Sequence, residues 1–318
     1  MTLLPLSPGE PPLRLGPFRT EAGVTIPHLR VAYRRDGPQD RSAVLVVHAL
    51  TGSADAAGDW WEPLIGPGRA LDTKERQVIC VNLLGSCYGT TGPRELQPFP
   101  PITTRDQART QWAALDALGV ERLELVVGGS LGGMVALEVA LERPEAVDAV
   151  MPIAAPAAIG NLAAGWNHIQ LQMLALDRDR GLELARQLAM TTYRSEVDFD
   201  SRAGIGSYLE HQGVKLRHRF HPGSYRALVE AMNAHDVARG RGGSVDAFRL
   251  LADADVAVIG VGIEGDILYG PRQVRALVDA ARAAGADASY REIRSDKGHD
   301  AFLVEWDQMA GVLGELIA

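Results

Sequence analysis

Residues 123–142 read LELVVGGSLGGMVALEVALE, a strand, a tight glycine-rich turn and a helix in immediate succession. An apolar run at 123–127 leads into Gly128-Gly129-Ser130-Leu131-Gly132, and a helix-forming pattern follows through Met134, Ala136, Leu137, Ala140 and Leu141. A serine between flanking glycines, with a strand before it and a helix after it, is a nucleophile elbow. The turn is tight enough that side chains at the flanking positions would collide, so Gly128 and Gly132 are required there, and Gly129 and Gly133 widen the clearance. The serine hydroxyl is lifted above the sheet edge, over the positive end of the following helix. A bare glycine-rich turn in an ordinary parallel sheet would explain the glycines; the bracketing elements are what point to a nucleophile.

Working outward, residues 42–48 (SAVLVVH) and 77–84 (QVICVNLL) are continuous runs of the kind that form strands buried on both faces of a parallel sheet. A shorter run at 29–34 fits an edge or hairpin strand, and 146–154 a fourth parallel strand. Helical spacing through Ala108, Trp112, Leu115 and Leu118 predicts a helix over 102–118, closed by Gly119. After Pro156 the pattern changes: 166–176, 181–191 and 225–238 read as amphipathic helices, and 240–244 (GRGGS) as a flexible connector. Strand–helix alternation then resumes with strands at 256–261 and 288–293 and helices at 271–284 and about 300–316. The expectation is an α/β fold with a mostly parallel, doubly wound sheet. Residues 1–156 and 251–318 form its core, 157–250 is an inserted helical lid, and 1–16 a loosely held arm.

Composition bounds the functional classes. The 318-residue chain is 46% hydrophobic and 23% charged, ordinary for a globular enzyme. Its net charge of −8 argues against nucleic acid as a partner. Cys80 and Cys87 follow no metal-ligand spacing and read as reduced thiols of a cytoplasmic protein. The proline-broken start lacks the pattern of a signal peptide, and no window approaches the length of a membrane span.

A serine hydroxyl needs a base within hydrogen-bond reach, and that base needs a carboxylate to orient it. Behind an elbow of this kind the acid comes next in the chain and the histidine last. Asp266, in the loop after the strand at 256–261, is the acid, with Glu264 its nearest rival. His299, in Gly298-His299-Asp300-Ala301-Phe302, is the base. Two backbone N–H groups must face the developing oxyanion; Leu131 supplies one, and the loop after residue 48 points to Leu50 for the other. His28, His48, His168, His211, His218, His221 and His235 have no metal-ligand spacing and read as ordinary polar residues, so no metal or redox cofactor is expected.

Several longer runs carry a resemblance to a known family. They are His48-Ala49-Leu50-Thr51-Gly52, Asp59-Trp60-Trp61, residues 66–73 (GPGRALDT), residues 84–93 (LGSCYGTTGP), Gly128-Gly129-Ser130-Leu131-Gly132-Gly133-Met134, Thr192-Tyr193-Arg194-Ser195, residues 207–213 (SYLEHQG), His235-Asp236 and residues 298–303 (GHDAFL). From about residue 13 onward the chain resembles the homoserine O-acetyltransferases of methionine biosynthesis. The resemblance implies an α/β-hydrolase fold, a homodimer built through the lid helices, and ping-pong transfer. In that scheme Ser130 takes an acetyl group from acetyl-CoA, the co-substrate, and His299 then deprotonates the acceptor hydroxyl. The carboxylate after the catalytic histidine, here Asp300, is implied to bind the acceptor's ammonium. The family also places an arginine on the first lid helix for the acceptor's carboxylate, and the corresponding register here holds Leu171. A leucine cannot make the bidentate contact of an arginine. Either another lid arginine substitutes, or the acceptor is not a free amino acid such as homoserine.

The leading expectation is therefore acetyl transfer to a small hydroxyl acceptor, L-homoserine first and L-serine or another alcohol behind it. An esterase would use the same triad with a wetter pocket, and a non-catalytic binding protein could share the fold. The lid favours transfer, and the intact Ser130, Asp266 and His299 favour catalysis.

Overall fold

Seven strands build the central sheet of the computed structural model, which describes residues 11–316. In chain order they are β1 (Tyr33–Asp36), β2 (Ala43–Val47), β3 (Gln77–Val81), β4 (Leu125–Gly129), β5 (Ala149–Ile153), β6 (Ala257–Ile263) and β7 (Ala288–Ile293). Their spatial order is β7-β6-β5-β4-β2-β3-β1. Every neighbouring pair is parallel except β1 with β3. The expected mostly parallel sheet is the observed one.

The all-apolar strands follow from covering on both faces. Leu45, Val47, Ile79, Val81, Val126 and Val150 pack to one side with α1 (Thr104–Ala117), α2 (Leu131–Glu142), α8 (Ser244–Asp253) and α9 (Pro271–Ala283). Val44, Val46, Val78, Cys80, Leu125 and Val127 face the other side, against α10 (Trp306–Gly314) and the segment from Ala54 to Leu71. Each such side chain, taken fully out of water, contributes about 1.5–3 kcal/mol. Helix α1 starts where Thr103 and Asp106 form a capping box.

The chain winds outward one way from β2 to β3, then crosses back and winds the other way from β4 to β7. The carboxyl ends of β2 and β4 therefore lie side by side where the order reverses, the place where open α/β sheets bind ligands. Leu50 follows β2 and Ser130 follows β4.

Between β5 and β6 the chain leaves the sheet and forms the lid: α3 (Asn161–Leu176), α4 (Arg178–Tyr193), α5 (Glu196–Asp200), α6 (Ile205–Arg219) and α7 (Pro222–Asn233). Its two ends are stitched together by Ile159 N–H to His235 O at 3.0 Å and Val237 N–H to Ala157 O at 2.9 Å.

Three details depart from the sequence expectations. The span 205–219 is one helix despite Gly206 and Gly213. A Cβ at Gly213 would meet the Glu183 carbonyl at 2.7 Å, so the glycine lets α6 lie close on α4. Helix α8 falls inside the expected lid span yet packs with Phe248 and Leu251 in the apolar cluster shared with α2 and α9. Of the arm expected at 1–16, residues 1–10 lie outside the described residues; beyond them Leu13 and Arg14 are held, paired antiparallel with Val31 and Arg30. Among the described residues no helix is long and apolar enough to cross a membrane.

Candidate active site

Ser130 has φ 58° and ψ −124°, a conformation that L-residues avoid and that marks stored strain at a functional turn. Close packing enforces it. A Cβ on Gly128 would lie 2.5 Å from the Gly132 carbonyl, and one on Gly132 would lie 2.2 Å from the Val47 carbonyl. The first turn of α2 is thus pressed against the end of β2, which brings the backbone of Leu131 beside the loop that carries Leu50. Neither of these N–H groups has an acceptor among the described residues.

The loop at Leu50 is held by His48, which is fully buried. The N–H of Leu83 donates to its Nε2 at 3.0 Å, so Nδ1 carries the proton and donates to the Ala49 carbonyl at 2.8 Å. Burial pulls its pKa down to about 4, against the smaller opposing influence of Ala49 and Asn82, so the ring stays neutral. His48 is a well-bonded polar residue, and what it holds is the loop that carries Leu50.

His299 sits in the short 3-10 turn Gly298–Leu303 and is buried. Its Nδ1 donates to Oδ2 of Asp266 at 2.7 Å. The other oxygen, Oδ1, accepts from the N–H groups of Leu268 at 2.8 Å and Tyr269 at 3.1 Å. Glu264, the rival carboxylate, is exposed. The rings of Tyr193, Tyr269 and Phe302 box the imidazole with centroids 5.5–5.8 Å away. Its Nε2 is buried and has no protein partner among the described residues. Burial disfavours the imidazolium, but the charge and hydrogen bond of Asp266 and the charge of Asp300 outweigh it, and the pKa lies above its ordinary value.

Ser130 and His299 line one cavity of about 640 Å³. Leu50, Thr51, Trp60, Tyr88 and Asp300 add to its core side, and the lid contributes Arg186 and Tyr193 from α4 and Lys215 and Arg219 from α6. The alcohol, the imidazole–carboxylate pair and the two free N–H groups are the parts that acyl transfer through a serine uses; Nε2 and the Ser130 hydroxyl share the cavity without a hydrogen bond between them. Among the described residues no group of three or more His, Cys, Asp or Glu side chains is arranged to hold a metal ion.

Asp300 lies in the wall of this cavity and pairs with Arg194 at 3.1 Å. Leu171 is not part of the wall; it packs against the apolar core. Two lid arginines line the cavity: Arg219, which donates to the Thr51 carbonyl at 2.7 Å and to the Tyr88 hydroxyl at 3.1 Å, and Arg186, whose guanidinium lies 5.4 Å from the Tyr193 ring centroid and has no carboxylate partner among the described residues. Sequence reading missed Arg186, Lys215 and Arg219. The available signal was spacing: Arg186 and Tyr193 stand seven residues apart, two helical turns, and so share one face of α4.

A family model described as the α/β hydrolase fold matches residues 42–235. The chain is 44% identical to a homoserine O-acetyltransferase of Thermus thermophilus, with 93% of this chain and 88% of that protein covered. The solved structure of homoserine O-acetyltransferase from Staphylococcus aureus superposes with a TM-score of 0.88 at 31% identity, covering 96% of this chain and 94% of that one. Esterase E22 superposes with a TM-score of 0.89 at 19% identity, covering 96% and 99%, and that likeness speaks for the fold alone. With its elbow serine, buried histidine–aspartate pair and helical lid, the chain belongs to the homoserine O-acetyltransferase family of the α/β-hydrolase fold.

Proposed function

We propose that the protein transfers an acetyl group from acetyl-CoA, through an acyl-enzyme on Ser130, to the hydroxyl of a small amino acid, L-homoserine first, in methionine biosynthesis. The observation that carries this reading is the meeting of Ser130, the Asp266-oriented His299 and a lid arginine in one roofed cavity. Ser130 Oγ attacks the thioester carbonyl carbon while His299 Nε2 takes its proton. The N–H groups of Leu50 and Leu131 stabilise the oxyanion, the C–S bond breaks, and the imidazolium protonates the departing thiolate. The acceptor hydroxyl then gives its proton to His299 and attacks the acyl carbon. The ester bond to Ser130 breaks, and the serine oxygen regains a proton from the imidazolium.

Asp300 is the counter-ion for the acceptor's ammonium, and Arg186 the partner for its carboxylate in place of an arginine at position 171. Arg186 has the planar fork that matches a carboxylate and no competing anion. Lys215, on the exposed outer part of α6 at the cavity, suits the anionic donor. The lid, residues 157–250 by its sequence limits, favours transfer over hydrolysis because an acyl-enzyme passes to whichever nucleophile reaches it. The free thiols of Cys80 and Cys87 fit a cytoplasmic enzyme. Leu162, Ile169 and Leu176, at seven-residue steps along α3 and 64%, 46% and 88% exposed, support a homodimer through the lid.

Thiol release from acetyl-CoA tests the reading. Release that depends on added L-homoserine and yields its O-acetyl ester supports it. Release at the same rate without any acceptor identifies a hydrolase.

A further inference from the structure

Four residues of the lid segment 193–198 touch the turn that carries His299. The ring of Tyr193, the last residue of α4, packs on the imidazole with centroids 5.7 Å apart. Arg194 pairs with Asp300. Ser195 donates its hydroxyl to the Asp296 carbonyl and accepts the N–H of Asp198 at 3.1 Å. Asp198, its side chain 1% exposed, takes Lys297 Nζ at 3.0 Å on one oxygen and Arg202 at 2.6 Å on the other. Between these contacts lies Gly298 at φ +67°, where a Cβ would stand 2.7 Å from Ser195 N.

From below, Gln308 clamps Arg294, its Oε1 accepting the N–H at 2.9 Å and its Nε2 donating to the carbonyl at 2.8 Å; Ser295 Oγ accepts the Lys297 N–H at 3.0 Å and donates to Glu305; and Asp266 holds the His299 ring at 2.7 Å. A glycine in the left-handed region has no side chain to lock it. Asp266 sets the ring of His299 from the core, while the backbone before it, residues 296–298, is fastened from above by the lid, which bonds the Asp296 carbonyl and the Lys297 ammonium and packs on Gly298. A buried carboxylate stripped of a cation is costly, so Asp198 retains Lys297 and, with it, the residues on either side of Gly298.

We infer that the lid segment 193–198 positions His299, and that the ion pair between the buried Asp198 carboxylate and the half-exposed Lys297 is the latch that holds the histidine's turn in register. The inference rests on the proposed role of His299 as the base. A base that serves two successive nucleophiles must keep Nε2 within hydrogen-bond reach of both. Seating the lid and setting the base are then one mechanical event. Asp198 and Lys297 are positioning residues; neither touches the reacting atoms.

The test compares two variants that each remove one cation from the same carboxylate. Lys297→Met keeps the apolar stem and releases the turn; Arg202→Gln leaves the turn alone. Single-turnover acylation with acetyl-CoA, steady-state kinetics and thermal melting are read on both. The expected result for Lys297→Met is a fall in the acylation rate and kcat on the order of tenfold or more, with the donor KM and Tm close to wild type. Arg202→Gln keeps the wild-type rate, and Lys297→Arg restores most of it. Wild-type acylation in Lys297→Met overturns the latch, as does an equal loss in both variants that tracks Tm, the mark of a merely structural carboxylate. A wild-type chain that forms no acyl-enzyme overturns the Ser130 reading, and the latch with it. One that forms it while Lys297→Met matches its rate overturns the latch alone.

Discussion

Asp266 holds His299 through one carboxylate oxygen at 2.7 Å while its other oxygen is fixed by two backbone N–H groups. The acid is thus fastened to its own loop before it orients the ring, and the proton on Nδ1 leaves Nε2 as the free base. A pH dependence follows. Only the neutral imidazole accepts a proton from Ser130, and the pKa of His299 is raised, so the acid limb of kcat/KM falls above pH about 6.5. Asp300→Asn removes one of the charges that raise it and moves the limb to lower pH. Asp266→Asn breaks the orientation and lowers kcat on the order of a thousandfold or more. A pH–rate series on the three proteins checks all of this; an acid limb unmoved in Asp300→Asn contradicts it.

The proposed division of the acceptor between Arg186 and Asp300 is tested by variants that separate the two half-reactions. A charge-assisted hydrogen bond is worth about 1.5–3 kcal/mol, so Arg186→Leu raises the acceptor KM on the order of tenfold to a hundredfold. Acylation of Ser130 by the donor, measured in a single turnover without acceptor, stays near wild type. An acceptor KM unchanged in Arg186→Leu removes the arginine from the pocket.

Gly132 is the tightest position of the elbow, with a would-be Cβ 2.2 Å from the Val47 carbonyl. Backbone cannot yield there as a flexible side chain would. Gly132→Ala is expected to lose about 1–3 kcal/mol or more in urea unfolding, the cost of overpacking, and to lose activity as Leu131 is pushed from Leu50. Wild-type stability in this variant would show that the elbow relaxes freely.

His48 and His235 are buried and neutral, their pKa values lowered chiefly by burial, that of His48 to about 4. Below pH about 6.5 the unfolded chain takes up protons that the folded rings refuse. Folding stability therefore falls as pH drops from about 6.5 toward 4, at up to about 1.4 kcal/mol per pH unit for each ring that stays neutral. His48→Asn flattens the slope of unfolding free energy against pH; an unchanged slope assigns the effect to other groups.

The sheet and the triad were legible because their signals are local. Continuous β-branched runs announced buried strands, and the glycines around Ser130 announced the elbow. Chain order behind it singled out Asp266 and His299. What was not legible depends on packing between distant segments. Gly213 hides α6 from a helix reading because its purpose is the approach of α4, and Arg186 carries no motif until α4 is seated over the cavity. Leu171 was read by register alone, whereas the arginines that line the cavity are set by which side of which lid helix turns inward. His48 looked bland and is so in bonding; only the position of its partners, Ala49 and Leu83, gives it the Leu50 loop to hold.

The proposed mechanism stands on Ser130 carrying the acyl group between donor and acceptor. Its most direct measurement is mass spectrometry of the intact chain and its peptides, acid-quenched after brief exposure to acetyl-CoA without acceptor. The expected result is one acetyl group on the peptide bearing Ser130, absent from Ser130→Ala and discharged to O-acetylhomoserine on adding L-homoserine. An unmodified Ser130 peptide in a chain that still turns over, or a Ser130→Ala variant that retains transfer, would contradict it.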